Sequence, residues 1–201
     1  MKKTLLLSAL TCLASAALFA ADSPPVGSAA PNFSVQDSKG KAQSLSQYKG
    51  KYVVLEWFNP DCPFVKKHYG GGNMQKLQEE FTSKGVVWLS IDSSAKGKEG
   101  NLSPDQAEKK MSEWKTHSTA LLLDEDGKAG KAYGAKNTPH MFVINPEGKI
   151  IYEGAIDSKA TPNPADIADS TNYVKAALDE ALAGKPITTP SSRPYGCSVK
   201  Y

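Results

Sequence analysis

The chain has one arginine, Arg193, and its lysines are scattered among acidic residues rather than gathered into a patch. Its formal charge of +3 falls to +1 if Lys2 and Lys3 leave with a leader. Nothing here offers the basic footprint that nucleic acid requires, so nucleic acid is not an expected partner. Cysteine is almost as scarce. Cys12, Cys62 and Cys197 are the full set, and no C-x-x-C or H-x-x-x-H spacing occurs. Two thiols beyond the leader, with His68, His117 and His140 at unrelated spacings, do not spell a four-ligand structural zinc site. No metal and no cofactor is expected. After Phe19 no apolar run is long enough to cross a membrane, so no membrane span is expected. No internal repeat is visible.

What is present begins with an address. Met1-Lys-Lys is positive, Thr4 to Phe19 is apolar and rich in Leu and Ala, and Ala20-Ala21-Asp22 offers a small-residue cut. Residues 1–20 read as a secretory signal peptide, with cleavage after Ala20 carrying Cys12 away. The mature protein is then periplasmic or secreted, where disulfide chemistry is permitted. About 180 residues remain, enough for one domain with a real core. The expected division is a loose lead-in over 21–31, a domain over 32–185, and a tail over 186–201 carrying Cys197.

The rest of the chain is organised around Lys51-Tyr-Val-Val-Leu-Glu-Trp-Phe-Asn-Pro-Asp-Cys62-Pro-Phe-Val-Lys-Lys-His68. Tyr52 to Phe58 is apolar, β-branched and aromatic, the composition of a central strand. Asn59-Pro60-Asp61 breaks it, because Pro60 has no ladder donor and Asn and Asp favour turns. Pro63 suits the first turn of a helix, where its missing N–H costs nothing. Cys62 therefore falls at a helix N-terminus, where the dipole and free N–H groups favour the thiolate. Lys66, one turn along, is expected to add positive charge. A cysteine can also be a plain buried core residue; the strand–turn–Cys-Pro–helix context favours chemistry. Cys62 and Cys197 stand 135 positions apart and are either a structural staple or a pair that opens and closes.

Around this stretch the pattern alternates strand and helix. Phe33 to Gln36 and Lys41 to Leu45 read as a hairpin about Asp37-Ser-Lys-Gly40. The helix after Cys62 runs to about Tyr69, breaks at Gly70-Gly71-Gly72, and is recapped by Asn73. Val86 to Ile91 is a strand parallel to the first. Ser103-Pro-Asp-Gln106 is a capping box opening a helix with Ala107, Met111 and Trp114 on its buried stripe. Ala120 to Leu123 is a strand, followed by a helical turn over Lys128 to Tyr133. Asn137 to Ile144 is a strand entered through Pro139, and Lys149 to Glu153 returns as its hairpin partner. Val174, Ala177, Leu178, Ala181 and Leu182 form the stripe of the last helix. His68 and His140 read as solvated surface residues, with a place lining the site as the alternative.

A β-α-β half followed by a β-β-α half entered through Thr-Pro, with Cys-Pro at the first helix, resembles the thioredoxin-like redoxins. The resemblance is to the peroxiredoxin-like branch related to alkyl hydroperoxide reductase and thiol-specific antioxidant. It rests on Asp61-Cys62-Pro63-Phe64-Val65-Lys66, Thr138-Pro139-His140, Tyr152-Glu-Gly-Ala-Ile-Asp157 and Gly196-Cys197-Ser-Val-Lys200. It implies an α/β thioredoxin-like fold: a central mixed sheet flanked by helices, with an N-terminal β-hairpin and a C-terminal tail. It also implies that Pro139 is a cis-proline lying against Cys62. Thr138 would then turn its backbone to the sulfur or to a docked strand, and Pro63, Thr138 and Pro139 would form the substrate-binding surface. Glu56, six residues before Cys62, takes the place of a buried acid beneath the active cysteine, as a proton acceptor or as one half of an ion pair with a lysine. Val65 stands where thioredoxins carry their second cysteine, Asn59 where peroxiredoxins carry Thr or Ser, and no arginine precedes the tail.

The expected function is that of an exported thiol–disulfide oxidoreductase. Cys62 attacks and Cys197, on a mobile tail, resolves. Its partners are protein or small-molecule disulfides and thiols, peroxides, and an external reductant. Two other readings stand beside it: a peroxiredoxin-type thiol peroxidase using the same residues, and a non-enzymatic protein holding a soft metal such as Cu(I) between Cys62 and Cys197 or a histidine.

Overall fold

The computed structural model describes residues 23–201; the leader and Cys12 lie outside the described residues. Five strands make the central sheet: β3 (Val53–Trp57), β4 (Val87–Asp92), β5 (Ala120–Leu123), β7 (His140–Ile144) and β8 (Ile150–Gly154), in the order β5-β4-β3-β7-β8. β3 is parallel to β4, and β4 to β5, while β7 is antiparallel to both β3 and β8. β3 is central and buried along its whole length, which is why it shows no polar alternation.

The two faces of β3 feed two cores. Val53, Leu55 and Trp57 pack with Phe33, Leu89, Ile91, Tyr133 and Phe142. This side also carries the hairpin β1 (Ser34–Gln36) and β2 (Ala42–Ser44), the short 3-10 turn Leu45–Tyr48, and α4 (Lys128–Ala132). Val54 and Phe58 face the other way, toward Val65, Tyr69, Leu77, Phe81, Trp88, Val174 and Leu178. Those residues come from α1 (Pro63–Gly70), α2 (Asn73–Ser83), β4 and α5 (Tyr173–Leu182), with Ala107 of α3 (Pro104–Glu113) beside them. The expected capping box of α3 is present: Gln106 N–H donates to Ser103 Oγ, and Ser103 N–H donates to Gln106 Oε1 at 2.8 Å. No helix among the described residues is long and apolar enough to cross a membrane.

Several expectations are corrected. Gly72, in the left-handed region at φ 70°, caps α2, while Asn73 is its first helical residue and turns its amide to His68. Leu182 is exposed rather than part of the α5 stripe. The lead-in is not loose: Gly27 N–H donates to Ile150 O at 2.7 Å and Ile150 N–H to Ser28 O at 3.0 Å, so this segment runs along β8.

The tail, expected to be mobile, is docked on the domain along its length. Glu153 of β8 bridges Ser191, and β9 (Cys197–Ser198) pairs antiparallel with β6 (Asn137–Thr138). The last residue folds back, with its Tyr201 hydroxyl donating to Ala135 O at 2.8 Å and its ring lying over Gly127 and Gly130. Glycine at these two positions and at Gly154 and Gly196 is a matter of close approach. A β-carbon at Gly154 would overlap Ser192, and one at Gly196 would overlap the Thr138 carbonyl.

Candidate active site

Cys62 ends the turn after β3 with extended backbone (φ −66°, ψ 123°), and Pro63 is the first residue of α1. The Cys62 carbonyl takes the first bond of the helix, from Lys66 N–H at 2.9 Å. The turn is braced by Asn59, which is buried. Its Oδ1 accepts from Asp61 N–H at 2.8 Å, and its Nδ2 donates to Glu99 O at 3.0 Å. Both ends of this amide hold backbone, a role the sequence did not disclose.

Across from the turn the Thr138–Pro139 peptide is cis. The Cys62 thiol donates to Thr138 O at 3.0 Å. The register of β6 and β9 sets Cys197 opposite Thr138, whose carbonyl accepts from the Cys62 thiol, so Cys197 and Cys62 are neighbours. Both are free thiols. Cys62 is 1% exposed, and Cys197 is half-buried above it.

The pair is electrically unequal. Burial pushes the Cys62 thiol up, but donors at the sulfur outweigh it: the Cys197 thiol, Thr138, and the backbone N–H groups of Val65 and Cys197 leave it below the ordinary value. Cys197 has the opposite balance. Burial, and then the Cys62 sulfur, push it up to about 12. Lys66 does not contribute as expected. It is more than half exposed and turns to Asp61, 3.9 Å away.

Glu56 is fully buried on the α1–α2 side of β3. Trp88 Nε1 donates to it at 2.8 Å, Tyr69 Oη at 2.8 Å, Ser90 Oγ at 3.0 Å and Gln78 Nε2 at 3.3 Å. Burial raises its pKa, and these four donors oppose the rise without cancelling it. The expected lysine partner is absent from this set. The buried lysine of α1, Lys67, pairs instead with Asp157, at 3.1 Å, with both side chains at 1% exposure or less.

The histidines are also corrected, because both are buried. His140 Nε2 lies 3.3 Å from Glu153. His68 has its pKa pulled to about 4 by burial, against the attraction of Asp157, so it is neutral at pH 7. Among the described residues no group of three His, Cys, Asp or Glu side chains gathers as a metal site.

Residues 26–153 match the model of a family described as AhpC/TSA. A thiol-disulfide oxidoreductase ResA from Bacillus thuringiensis is 30% identical over 128 residues, covering 64% of this chain and 68% of the relative. Its namesake from Bacillus subtilis is 31% identical, covering 62% and 64%. Among solved structures, an uncharacterized conserved protein from Geobacillus kaustophilus superposes with a TM-score of 0.74 at 27% identity, over 88% of this chain and 92% of that one. The thioredoxin domain of a thiol-disulfide oxidoreductase from Bacteroides vulgatus gives 0.54 at 24% identity, over 73% and 98%, a likeness of fold alone. The central mixed sheet flanked by helices is thus thioredoxin-like, as expected.

Proposed function

We propose that this chain, which belongs to the AhpC/TSA family, is a two-cysteine thiol–disulfide oxidoreductase with Cys62 as attacking thiol and Cys197 as resolving thiol. Family membership and the oxidoreductases among its relatives make it an oxidoreductase. One observation carries the finer reading: β9 seats a free Cys197 thiol on a free Cys62 thiol whose pKa is lowered.

The chemistry balances in two steps. The Cys62 thiolate attacks one sulfur of a substrate disulfide, forming a mixed disulfide and expelling the other substrate sulfur as a thiolate that takes up a proton. Cys197 then loses its proton and attacks the Cys62 sulfur, closing Cys62–Cys197 and expelling the second substrate thiolate. The substrate disulfide gains two electrons and the protein dithiol loses them; an external thiol reverses the sequence. While Cys62 is held in a mixed disulfide its sulfur no longer carries charge. The push that the Cys62 sulfur gives to Cys197 is then gone, and its ionisation becomes easier at the moment it must attack. Pro63, Thr138 and Pro139 would border the incoming disulfide. Export rests on the sequence of residues 1–20, and the domain over 32–185 would work only with the tail docked on it.

The test is to count free thiols after mixing reduced mature protein with a model disulfide, with peroxide, or with Cu(I). The expected result is loss of two thiols per chain to the disulfide, restored by reductant, with peptide mapping giving a Cys62–Cys197 link. Oxidation by peroxide alone would favour a thiol peroxidase. Stoichiometric Cu(I) uptake without disulfide exchange would favour metal holding.

Glu56 is proposed as the proton acceptor for this exchange, on the ground that burial raises its carboxyl pKa and so makes it a stronger base than an exposed carboxylate. Glu56→Gln preserves the shape, and Tyr69 can reverse its hydroxyl to accept from the new amide. Exchange is expected to slow by about tenfold or more near neutral pH. The linked effect on stability has a fixed sign. A carboxyl with a raised folded pKa costs stability as pH rises from its unfolded value through its folded one. The variant should therefore lose that downward slope. Unchanged exchange with a lower Tm would reduce Glu56 to a structural hub.

A further inference from the structure

Two residues before Cys197, the tail puts Tyr195 onto α1, the same helix that Cys62 begins. Its ring lies 5.7 Å from that of Phe64, and Lys67 Nζ stands 5.6 Å from its centroid. Its hydroxyl meets a network that the chemistry above does not use. The hydroxyl donates to Asp157 Oδ1 and lies 3.2 Å from His68 Nε2. Asn73 Nδ2 sits 2.9 Å from His68 Nδ1, which assigns Nδ1 as acceptor and leaves Nε2–H to donate to Tyr195. Asp157 is held in turn by Lys67 at 3.1 Å and by Lys159 N–H at 3.0 Å, and Lys67 also donates to Lys159 O at 2.7 Å.

A buried ion pair is weak evidence for stability, because desolvating both charges offsets most of their attraction. A hydrophobic pair of similar volume would support α1 as well. What the charged pair adds is a directional acceptor, fixed at one point under α1, for a hydroxyl arriving from the far end of the chain. Next along is Gly196, whose missing β-carbon lets the backbone lie against the Thr138 carbonyl. Then comes Cys197. The phenol is thus a peg one short step from the resolving sulfur, and it is tied to the helix that carries the attacking one.

We propose that Tyr195 is a positioning residue that, through Asp157 and Lys67, holds the Cys197 thiol against Cys62 and so sets the equilibrium between dithiol and disulfide. This rests on the two-cysteine reading. The gain from such pre-positioning appears as an effective concentration of one thiol toward the other. A hydrogen bond to a charged acceptor contributes about 1.5–3 kcal/mol, or roughly one to two powers of ten in an equilibrium constant.

The experiment measures the Cys62–Cys197 equilibrium in graded dithiothreitol buffers for wild type, Tyr195→Phe, Tyr195→Ala and Tyr133→Phe. Tyr133 lies on the opposite core and donates to Pro31 O at 2.7 Å, so it controls for loss of a tyrosine hydroxyl as such. Tyr195→Phe is expected to disfavour the disulfide about tenfold and Tyr195→Ala further, while Tyr133→Phe leaves the equilibrium at the wild-type value. Circular dichroism checks that each variant is folded under the buffer conditions. If both Tyr195 variants are folded and match wild type, the proposal is overturned and the two-cysteine function stands. If Tyr133→Phe shifts the equilibrium as far as Tyr195→Phe, the effect is general loosening and the proposal is equally overturned. If wild type forms no Cys62–Cys197 bond at all, it is the functional reading that fails.

Discussion

A Cys62→Ser variant is expected to lose thiol–disulfide exchange by about a thousandfold or more, the scale seen when a nucleophile is removed. Serine keeps the size of the side chain and its bond to Thr138, so the fold has no reason to change. Its hydroxyl does not ionise near neutral pH, and the thiolate is the reacting species. The neighbouring thiol cannot take over. Burial pushes the Cys197 thiol up and survives the substitution, so it is a poor nucleophile near neutral pH. Cys197→Ser should behave differently: it still attacks, then stops at a mixed disulfide that mass spectrometry detects. The informative contrary result is specific. Cys197 is the more exposed of the two. If Cys62→Ser retained most of the rate of release from a chromogenic disulfide while Cys197→Ser lost it, the roles would have to be exchanged.

Closing the Cys62–Cys197 bond is expected to raise unfolding stability by about 5 kcal/mol, the chain-entropy value for a loop of this length. The two residues are 135 positions apart, so the crosslink removes a large set of open conformations from the unfolded chain. Engineered crosslinks often fall short of this value because they distort the native state. Here β9 is already paired and sets Cys197 opposite Thr138, whose carbonyl holds the Cys62 thiol, so little distortion is needed. Urea denaturation of oxidised and reduced protein should show midpoints separated by about 2 M at a slope of about 2.5 kcal/mol/M. Non-reducing gels must show a monomer. A crosslinked monomer with no added stability would mean that the closed bond strains the site, and a crosslinked dimer would mean that the tail exchanges between chains.

Much of the scaffold was legible because local chemistry and tertiary role agree in it. The apolar run Val53–Trp57, Pro63 after the turn, the glycines at 70–72, the capping box at Ser103 and the turn at Asn145–Gly148 each carry their own signal. Thr138-Pro139 was legible only through family resemblance, since an isolated X-Pro is usually trans. The tail was misread for a physical reason. A two-residue strand shows no alternation, and what docks it is the lack of side chains at Gly127, Gly130 and Gly154, far away in sequence. His68 was misread because histidine often sits in water, and nothing local marks Lys67 for burial; their partners, Tyr195 and Asp157, are supplied from about 127 and 90 positions downstream. Asp157 follows Ala155 and Ile156, and an acid after an apolar pair was the one hint of a buried charge.

Gly127, Gly130, Gly154 and Gly196 together restrict what evolution or an engineer can do with this site. A cysteine on a C-terminal strand looks like a module that could be appended to any relative. In this fold it is not separable. A relative with alanine beneath the Tyr201 ring, or with any side chain at the places of Gly154 or Gly196, would repel the incoming segment before its sulfur came near. Transplanting the chemistry therefore means carrying receptor and insert together, from Gly127 to Tyr201.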